Sequence, residues 1–477
     1  MKKRNKFYIT TAIDYVNASP HIGHAYQKII ADILARWNKL QGKDVFFLTG
    51  TDEHGQKIAL SAKEYGKTEK QFVDEMSKKF IESWKFLNIN YNRFIRTTDK
   101  DHEKFVQEFV KKIKKDIYKG VYEGYYCVGC EEYKTEKELI DGKCPYHPNK
   151  KIEKIKEETY FFKLSKYQEK LLKIYEKNPN FLLPEERKNE IINRIKEGLR
   201  DLSITRTNFS WGIQFPFDKK HVIYVWFDAL LNYLSGAGRN KKYWPADLHL
   251  LGKDNGWFHG VIWPAMLLAA NEELPKKIFV HGFLTFNGNK ISKSLGNVIS
   301  PKTLVEKYST DSIRYYIARN FVFGEDGDFS EEKLKEKHNN ELANKLGNLI
   351  SRISTLAERY GLEKCENKLL EKLRLKEIEK LIENYELDKA LNLIFEFIDI
   401  CNQYVQDKKP WETHNKKVLY ELADSIKSIT ILLYSFIPES CEKIAKTFGF
   451  EIKSLKDIDK PLKVGKINKS EILFKKI

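Results

Sequence analysis

The amino-acid sequence predicts an α/β architecture: a doubly wound parallel sheet, split by an insertion and followed by an all-α helical bundle. Three observations lead there. Residues 6–49 pass from a short apolar strand through an amphipathic helix into a second strand, residues 221–282 repeat that alternation, and from about residue 331 only helical periodicity remains. At 477 residues the chain is too long for one core, and 42% hydrophobic residues with eight tryptophans suffice for several.

In the first unit Lys6-Phe7-Tyr8-Ile9-Thr10 is the strand. Ile29, Ile30, Ile33, Leu34 and Trp37 then recur at helical spacing up to Gly42, and Asp44-Val45-Phe46-Phe47-Leu48-Thr49 returns as a strand. The helix opens at Ser19-Pro20-His21-Ile22-Gly23-His24. A helix start carries free main-chain N–H groups and the positive end of the dipole, which suit an anion such as phosphate. Imidazoles at 21 and 24 add donors, and Gly23 lets a nucleotide approach the main chain closely. The same pair also reads as a simple helix cap.

In the second unit His221 to Phe227 reads as a strand, Asp228 to Leu234 as a helix start, and Leu248-His249-Leu250-Leu251 as a strand running into Gly252-Lys253-Asp254. Gly256 to Ala270 has helical character, and Lys277 to Gly282 is one more strand. Doubly wound sheets bind ligands where two such halves meet. The expected division is a Rossmann-like nucleotide-binding domain in two halves, 1–116 and 221–285, interrupted by 117–220; then a polar-loop region, 286–330; then a helical domain, 331–477.

The insertion carries Cys127, Cys130, Cys144 and His147, spaced C-x2-C-x13-C-x2-H. Two ligand pairs in tight turns suit tetrahedral coordination, so the spacing predicts a zinc knuckle holding one structural Zn²⁺ with no open position. A disulfide is disfavoured in a chain of cytoplasmic character. Cys365, Cys401 and Cys441 stand singly in helical patterns, as buried thiols do.

Phe286-Asn287-Gly288-Asn289-Lys290-Ile291-Ser292-Lys293-Ser294-Leu295-Gly296-Asn297 has the composition of a mobile polar turn. Its two ammonium groups suit closure over a polyphosphate. G-x-x-x-x-G-K-[ST] and G-x-G-x-x-G do not occur, which disfavours an ordinary ATPase or dehydrogenase.

Lys+Arg exceed Asp+Glu by 84 to 67, a formal charge of +17, which favours a polyanionic partner such as nucleic acid. No apolar run is long enough to span a membrane, and Met1-Lys2-Lys3-Arg4 runs straight into a strand, so a soluble cytoplasmic protein is expected. In the last third, Ser330-Glu331-Glu332 starts a helix whose buried stripe is Leu342, Leu346, Leu349, Ile353 and Leu356. Asn344, Asn348 and Arg352 form a second row at i, i+4, i+8, able to hydrogen-bond the edges of splayed bases. Further bundle helices are expected over Leu387–Gln406 and Val418–Phe436, and Asp459–Ile477 reads as a basic tail.

His21-Ile22-Gly23-His24 and Lys290-Ile291-Ser292-Lys293-Ser294, in this order on this architecture, resemble the two signatures of class I aminoacyl-tRNA synthetases. The wider resemblance, over almost the whole chain, is to the methionyl-tRNA synthetase family. It rests on Thr51-Asp52-Glu53-His54-Gly55, Tyr224-Val225-Trp226-Phe227-Asp228-Ala229, Trp257-Phe258-His259, Trp263-Pro264-Ala265-Met266 and Phe279-Val280-His281-Gly282. Two positions depart from the family pattern: Ile291, where Met is usual, and Asp14, where an aromatic or proline is more common.

That resemblance implies activation of L-methionine by ATP, with Mg²⁺, and transfer to tRNA(Met). It implies His21, His24, Lys290 and Lys293 as catalytic residues, with Gly23, Lys253, Asp254, Ser292 and Ser294 at ATP. Methionine would sit among Ala12, Ile13, Tyr15, Trp226, Ala229, Leu230, Tyr233, His259 and Trp263, with Asp52 near its ammonium group. Asn344, Asn348, Arg352 and Trp411 match the family's anticodon readers, Trp411 as a stacking platform. The family's appended C-terminal domains have no counterpart in these residues, so a monomer is expected. Two alternatives are a class I synthetase for another aliphatic amino acid and a catalytically silent tRNA-binding relative. The short insertion disfavours the first and the intact histidines and lysines the second.

Overall fold

The computed structural model describes residues 5–477 except 128, 130, 131, 135, 146, 147, 150, 151, 239, 240 and 291–298. Its centre is a seven-stranded parallel sheet. In chain order the strands are β1 (Lys6–Thr11), β2 (Asp14–Tyr15), β3 (Asp44–Asp52), β4 (Arg93–Arg96), β5 (Leu182–Leu183), β6 (Leu248–Gly252) and β7 (Ile278–His281). In space they run β2-β3-β1-β6-β7-β5, with β4 also paired to β3. Register is direct: Ile9 lies opposite Phe47 on one side and Leu248 on the other. β6 is buried throughout, as a strand covered on both faces must be.

Helix α1 (Ile22–Leu40) buries 15 of its 19 residues, because the sheet lies on one side and the C-terminal helices on the other. The two are also bolted together by charge. Arg314 and Asp32 are both fully buried and 2.7 Å apart, and Arg314 donates further bonds to the carbonyls of Leu87, Ser435 and Phe436. The site is therefore built on an element held rigidly on all sides.

Three expectations need correction, and one segment gains detail. The apolar run 221–227 is not a sheet strand: only Val222–Ile223 is extended, pairing antiparallel with Thr205–Arg206, and the chain turns at once into the helix Val225–Ala229. A short buried apolar run has the same pattern in either form. The insertion is not separate from the sheet either, because it contributes β5 to the edge beyond β7. Around Asn287-Gly288 the loop is a tight hairpin, Leu284–Phe286 against Asn289–Lys290, with φ 49° and 76° at the turn residues. The tail after Asp459 is a strap on the bundle: Leu462, Ile467 and Phe474 are buried, and His338 donates from Nε2 to Lys475 O at 2.8 Å.

Within the insertion, Ile117–Cys127 pairs along its length with Glu153–Phe162. Beyond Phe329 the described residues contain helices only, principally Glu331–Lys337, Asn348–Tyr360, Leu387–Lys408, Lys416–Leu433 and Pro438–Phe448. Ser330 caps the first of these through its Oγ, as expected. Among the described residues no helix is long and apolar enough to cross a membrane.

Candidate active site

α1 begins beside the point where the chain order reverses, between β1 and β6. His21 precedes the helix in extended conformation, φ −138° and ψ 173°. Its Nδ1 accepts the Gly23 N–H at 3.1 Å, while His24 Nδ1 accepts the His21 N–H at 3.2 Å, a reciprocal capping box. The Ile22 N–H donates to Ile299 O at 3.1 Å, and those of His24 and Ala25 go to His21 O at 3.0 and 3.2 Å. The free amides expected for an anion are thus already used, because the histidines themselves cap the helix.

Capping moves the chemistry onto the imidazoles. A neutral ring that accepts at Nδ1 carries its proton on Nε2, so each histidine keeps one N–H donor for a ligand. The ring centroids are 3.9 Å apart. Burial lowers the His21 pKa to about 2, helped by His24, and that of His24 to about 3, helped by the Lys28 ammonium group.

From β1 the chain crosses to β2 under the same helix. The Ala12 N–H donates to Leu250 O at 2.9 Å, Tyr15 lies opposite Asp52, and the Tyr15 hydroxyl donates to His54 O at 3.1 Å. Asp14 is buried against Lys28, itself fully buried, with Nζ 2.8 Å from Asp14 Oδ1. Burial raises the Asp14 carboxyl to about 6 against the opposing pull of Lys28, and burial lowers the Lys28 ammonium group.

The aromatic residues expected at methionine form a buried group. The Tyr233 hydroxyl is 2.7 Å from His259 Nε2, and the Tyr233 and Trp263 ring centroids are 5.9 Å apart. His259 Nδ1 donates to Asn255 O at 3.0 Å, which leaves its Nε2 to accept from the tyrosine. Leu230 is buried in the same cluster, with Ala12, Ile13, Tyr15 and Trp226 half-buried against it, and Ala229 beside Leu230 is buried too. Asp52 is buried at the end of β3; its charge, after burial itself, raises the Tyr233 hydroxyl pKa.

Several neighbours of this group receive no role from the sequence, although Phe258, His54 and Asp228 fall in stretches that carry the family resemblance. Phe258 stacks on Trp226 at 3.8 Å and 6°. Trp263 donates from Nε1 to His249 Nε2 at 3.3 Å, and His249 Nδ1 meets Thr10 Oγ1 at 2.6 Å. Asp228 is fully buried between His54 Nδ1 and His102 Nε2, each 2.7 Å away. Burial would raise its carboxyl, but the two histidines outweigh that and hold it below the usual carboxylate range. None of these stands out locally, because each is a polar residue or a ring inside an apolar run.

Lys253, expected at the nucleotide, is held by Asp326 at 2.6 and 2.8 Å and lies over the Phe283 ring. Asp254 follows in the turn after β6. Lys290 closes the hairpin strand, whereas Ser292, Lys293, Ser294 and the departure Ile291 lie outside the described residues. So do Cys130 and His147; Cys127, at the end of its strand, and Cys144 are both fully buried. Among the described residues no group of three metal-ligating side chains occurs.

In the bundle, Asn344 lies in a π-helical stretch, His338–Gly347, and Asn348 begins the α-helix after it. Four residues fall short of a wide π turn and overshoot an α turn, so the two deviations along Asn344, Asn348 and Arg352 oppose each other. Both asparagines are exposed and Arg352 is half-buried. Trp411, 36% exposed, sits on the turn Pro410–Thr413; His414 just beyond it stacks on Tyr360, at the end of the Asn348 helix, at 4.2 Å. These four residues therefore share one continuous helical run and the turn docked at its end.

The chain matches a family model described as class I tRNA synthetases (M) over residues 7–354, and one for the anticodon-binding domain of tRNA ligases over 366–471. It is 46% identical to the methionine–tRNA ligase of Thermotoga maritima, across 95% of this chain and 76% of that one. To the Bacillus subtilis methionine–tRNA ligase it is 40% identical, across 100% and 78%. Among solved structures it is similar to Mycobacterium tuberculosis methionyl-tRNA synthetase in complex with methionyl-adenylate, with a TM-score of 0.94 and 37% identity over 98% of this chain and 99% of that one. The free-state structure of that enzyme gives 0.87 and 34%, over 99% and 98%. On sequence and fold together, this chain belongs to the methionyl-tRNA synthetase family of class I aminoacyl-tRNA synthetases.

Proposed function

We infer that the chain is a methionine–tRNA ligase, which joins L-methionine to tRNA(Met) at the expense of ATP. One observation carries the assignment of the site. The rings of His21 and His24 lie 3.9 Å apart at the start of α1, and Tyr233, His259 and Trp263 form a separate buried aromatic group, one suited to phosphates and the other to an unbranched thioether.

In this reading ATP lies against Gly23, with the Nε2–H donors of His21 and His24 on its phosphates and Asp254 and Lys253 near its ribose. Lys290, Ser292, Lys293 and Ser294 approach the phosphates from the hairpin side. Mg²⁺ accompanies the ATP and neutralises part of the polyphosphate charge. Methionine sits in the aromatic group, its ammonium toward Asp52. Its carboxylate oxygen bonds to the α-phosphorus, the bond to the bridging oxygen breaks, and pyrophosphate departs, giving methionyl-adenylate. Donors that meet the departing oxygens stabilise charge where it develops. A ribose hydroxyl at the tRNA 3′ end then attacks the adenylate carbonyl, and AMP leaves.

The remaining regions follow. Residues 1–116 and 221–285 form the catalytic halves, 117–220 the connective insertion, 286–330 the signature loop and stem contact, and 331–477 the anticodon-binding domain. Asn344, Asn348 and Arg352 offer hydrogen bonds to unpaired bases and Trp411 offers a stacking face. Cys127, Cys130, Cys144 and His147 hold one structural zinc; two wholly buried thiols at the tip of a long hairpin fit that donor set. Metal analysis of the purified protein is expected to find about one zinc per chain, lost on replacing Cys127 and Cys144 together. A monomer in the cytoplasm is the working assembly.

The direct test is pyrophosphate exchange into ATP against a panel of amino acids. Exchange with methionine alone is the expected result. Strong exchange with isoleucine or leucine would assign another substrate, and exchange with none would assign a non-catalytic tRNA binder.

A further inference from the structure

Lys28 lies one helical turn beyond His24 on α1 and is wholly buried, an uncommon place for an ammonium group. Its three protons are all directed. Nζ donates to Ala12 O at 2.9 Å, to Asp14 Oδ1 at 2.8 Å and to Gln27 Oε1 at 3.0 Å. Gln27 Nε2 donates to Leu250 O at 2.9 Å, and Leu250 O also accepts the Ala12 N–H at 2.9 Å. The bonds therefore close into a ring: Lys28 to Ala12, Ala12 to Leu250, Leu250 to Gln27, Gln27 back to Lys28. Three elements meet in it: α1, the crossing segment Ala12–Tyr15, and β6.

We propose that Lys28 is a positioning residue, clamping the segment that carries Ala12, Ile13 and Tyr15 to the helix that carries His21 and His24. This rests on the reading in which that segment walls the methionine pocket and the histidines meet ATP. The ring then sets the distance between the amino acid's carboxylate and the α-phosphate, where a misplacement of an ångström costs rate steeply. A structural contact alone does not require the ring: burying a lysine and an aspartate is costly, and apolar residues of similar size usually serve stability as well or better. Asp14 Oδ2 is buried with no hydrogen-bond partner among the described residues, so the pair is not optimised for stability. What the lysine supplies, and an apolar residue cannot, is a donor to the Ala12 carbonyl. Asp14, a departure from its family's usual residue, is the counter-ion that keeps that donor charged.

The test uses the full chain with Lys28→Met and with Lys28→Met combined with Asp14→Leu. The single variant leaves the Asp14 carboxylate buried alone and is expected to lose stability. The double variant leaves neither charge alone, so its Tm is expected to return toward the parent's, while Ala12 O still lacks its donor. In pyrophosphate exchange the double variant is expected to lower kcat and to raise the methionine KM, each by about tenfold, with the ATP KM within about twofold. Amide hydrogen exchange is expected to quicken at 12–16 and not within α1. A double variant with parental methionine KM and parental exchange at 12–16 would overturn the clamp, as would both KM values rising together. If the parent itself fails to exchange with methionine, the function assignment falls, and amide exchange at 12–16 still decides the clamp.

Discussion

His54 Nδ1 lies 2.7 Å from Asp228 Oδ2, joining the loop after β3 to the short helix that carries Trp226 and Ala229, 174 residues further on. His102 Nε2 holds the other carboxylate oxygen at 2.7 Å, and its Nδ1 meets Ser235 Oγ at 2.7 Å. A carboxylate with both oxygens bonded in a dry interior fixes the orientation of everything attached to it. Here that includes one wall of the aromatic pocket, with Asp52 two residues before His54.

Asp228→Asn tests that role. An amide keeps the shape but must present an N–H to one of two imidazole nitrogens that now donate, so one bond is lost and one group stranded. The expected cost is about 2 kcal/mol in urea unfolding. Methionine KM is expected to rise more than ATP KM, because Trp226 and Ala229 share the helix with residue 228. Equal change in both constants would reduce Asp228 to a stability element.

The signature histidines are legible in the sequence because a His-x-x-His run between a strand and an amphipathic helix puts two imidazoles at a helix start, where anions bind. Their hydrogen bonding is not: a neutral cap and a phosphate donor use the same residues, and only coordinates show that Nδ1 is spent on the backbone. Lys28 and Asp14 are unreadable as a pair, since a lysine within a helix is ordinarily solvated and this one is buried because the crossing segment Ala12–Tyr15 and the Trp84 ring close over it. Trp226 reads as a strand residue yet lies on a helix, because Val222 to Phe227 has strand-like composition and a tight helical turn hides in it. The tail after Asp459 hides its packing in a similar way: its charges are real, yet Leu462, Ile467 and Phe474 at wide spacing are what dock it.

The division of labour within His21 can be separated by substitution. Asn reproduces the Nδ1 position and is a good helix cap, so His21→Asn should keep stability while losing the Nε2 donor. A fall in kcat of about 100-fold in pyrophosphate exchange is expected, the scale of one lost transition-state donor. His21→Gln places an amide nearer the Nε2 position and forfeits the cap, so it should lose about 1 kcal/mol of stability and retain more activity than the Asn variant. The reverse ranking would place the histidine's function at Nδ1.

Buried neutral imidazoles also set the acid stability of the fold. Burial lowers His21 to about 2, His24 to about 3, and His259 and His281 to about 4 each, all from an ordinary 6.5. Below about pH 6.5 the unfolded chain binds protons on these rings and the native chain does not, so their contribution to stability is lost as pH falls from 6.5 toward 4 for His259 and His281, and on toward 3 and 2 for His24 and His21. Each contributes a slope of up to about 1.4 kcal/mol per pH unit. His281→Gln is expected to flatten the dependence of urea-unfolding free energy on pH by about one proton in that window. No flattening would mean that His281 titrates normally in the native state.

On the proposed assignment, Trp411 separates tRNA binding from chemistry most cleanly. It lies on the turn Pro410–Thr413, on the bundle rather than the sheet, and 36% of its surface remains open, so its removal leaves no large cavity. A base stacked on an indole contributes about 1 to 3 kcal/mol, which corresponds to roughly 5- to 150-fold in binding. Trp411→Ala is therefore expected to raise the tRNA KM for aminoacylation into that range while pyrophosphate exchange, which needs no tRNA, stays at the parental rate. Phe in place of Ala should recover part of the loss, since it restores a ring without the indole N–H. Loss of exchange together with aminoacylation would point to a folding defect. An unchanged tRNA KM would move the stacking platform away from Trp411 and leave recognition to Asn344, Asn348 and Arg352.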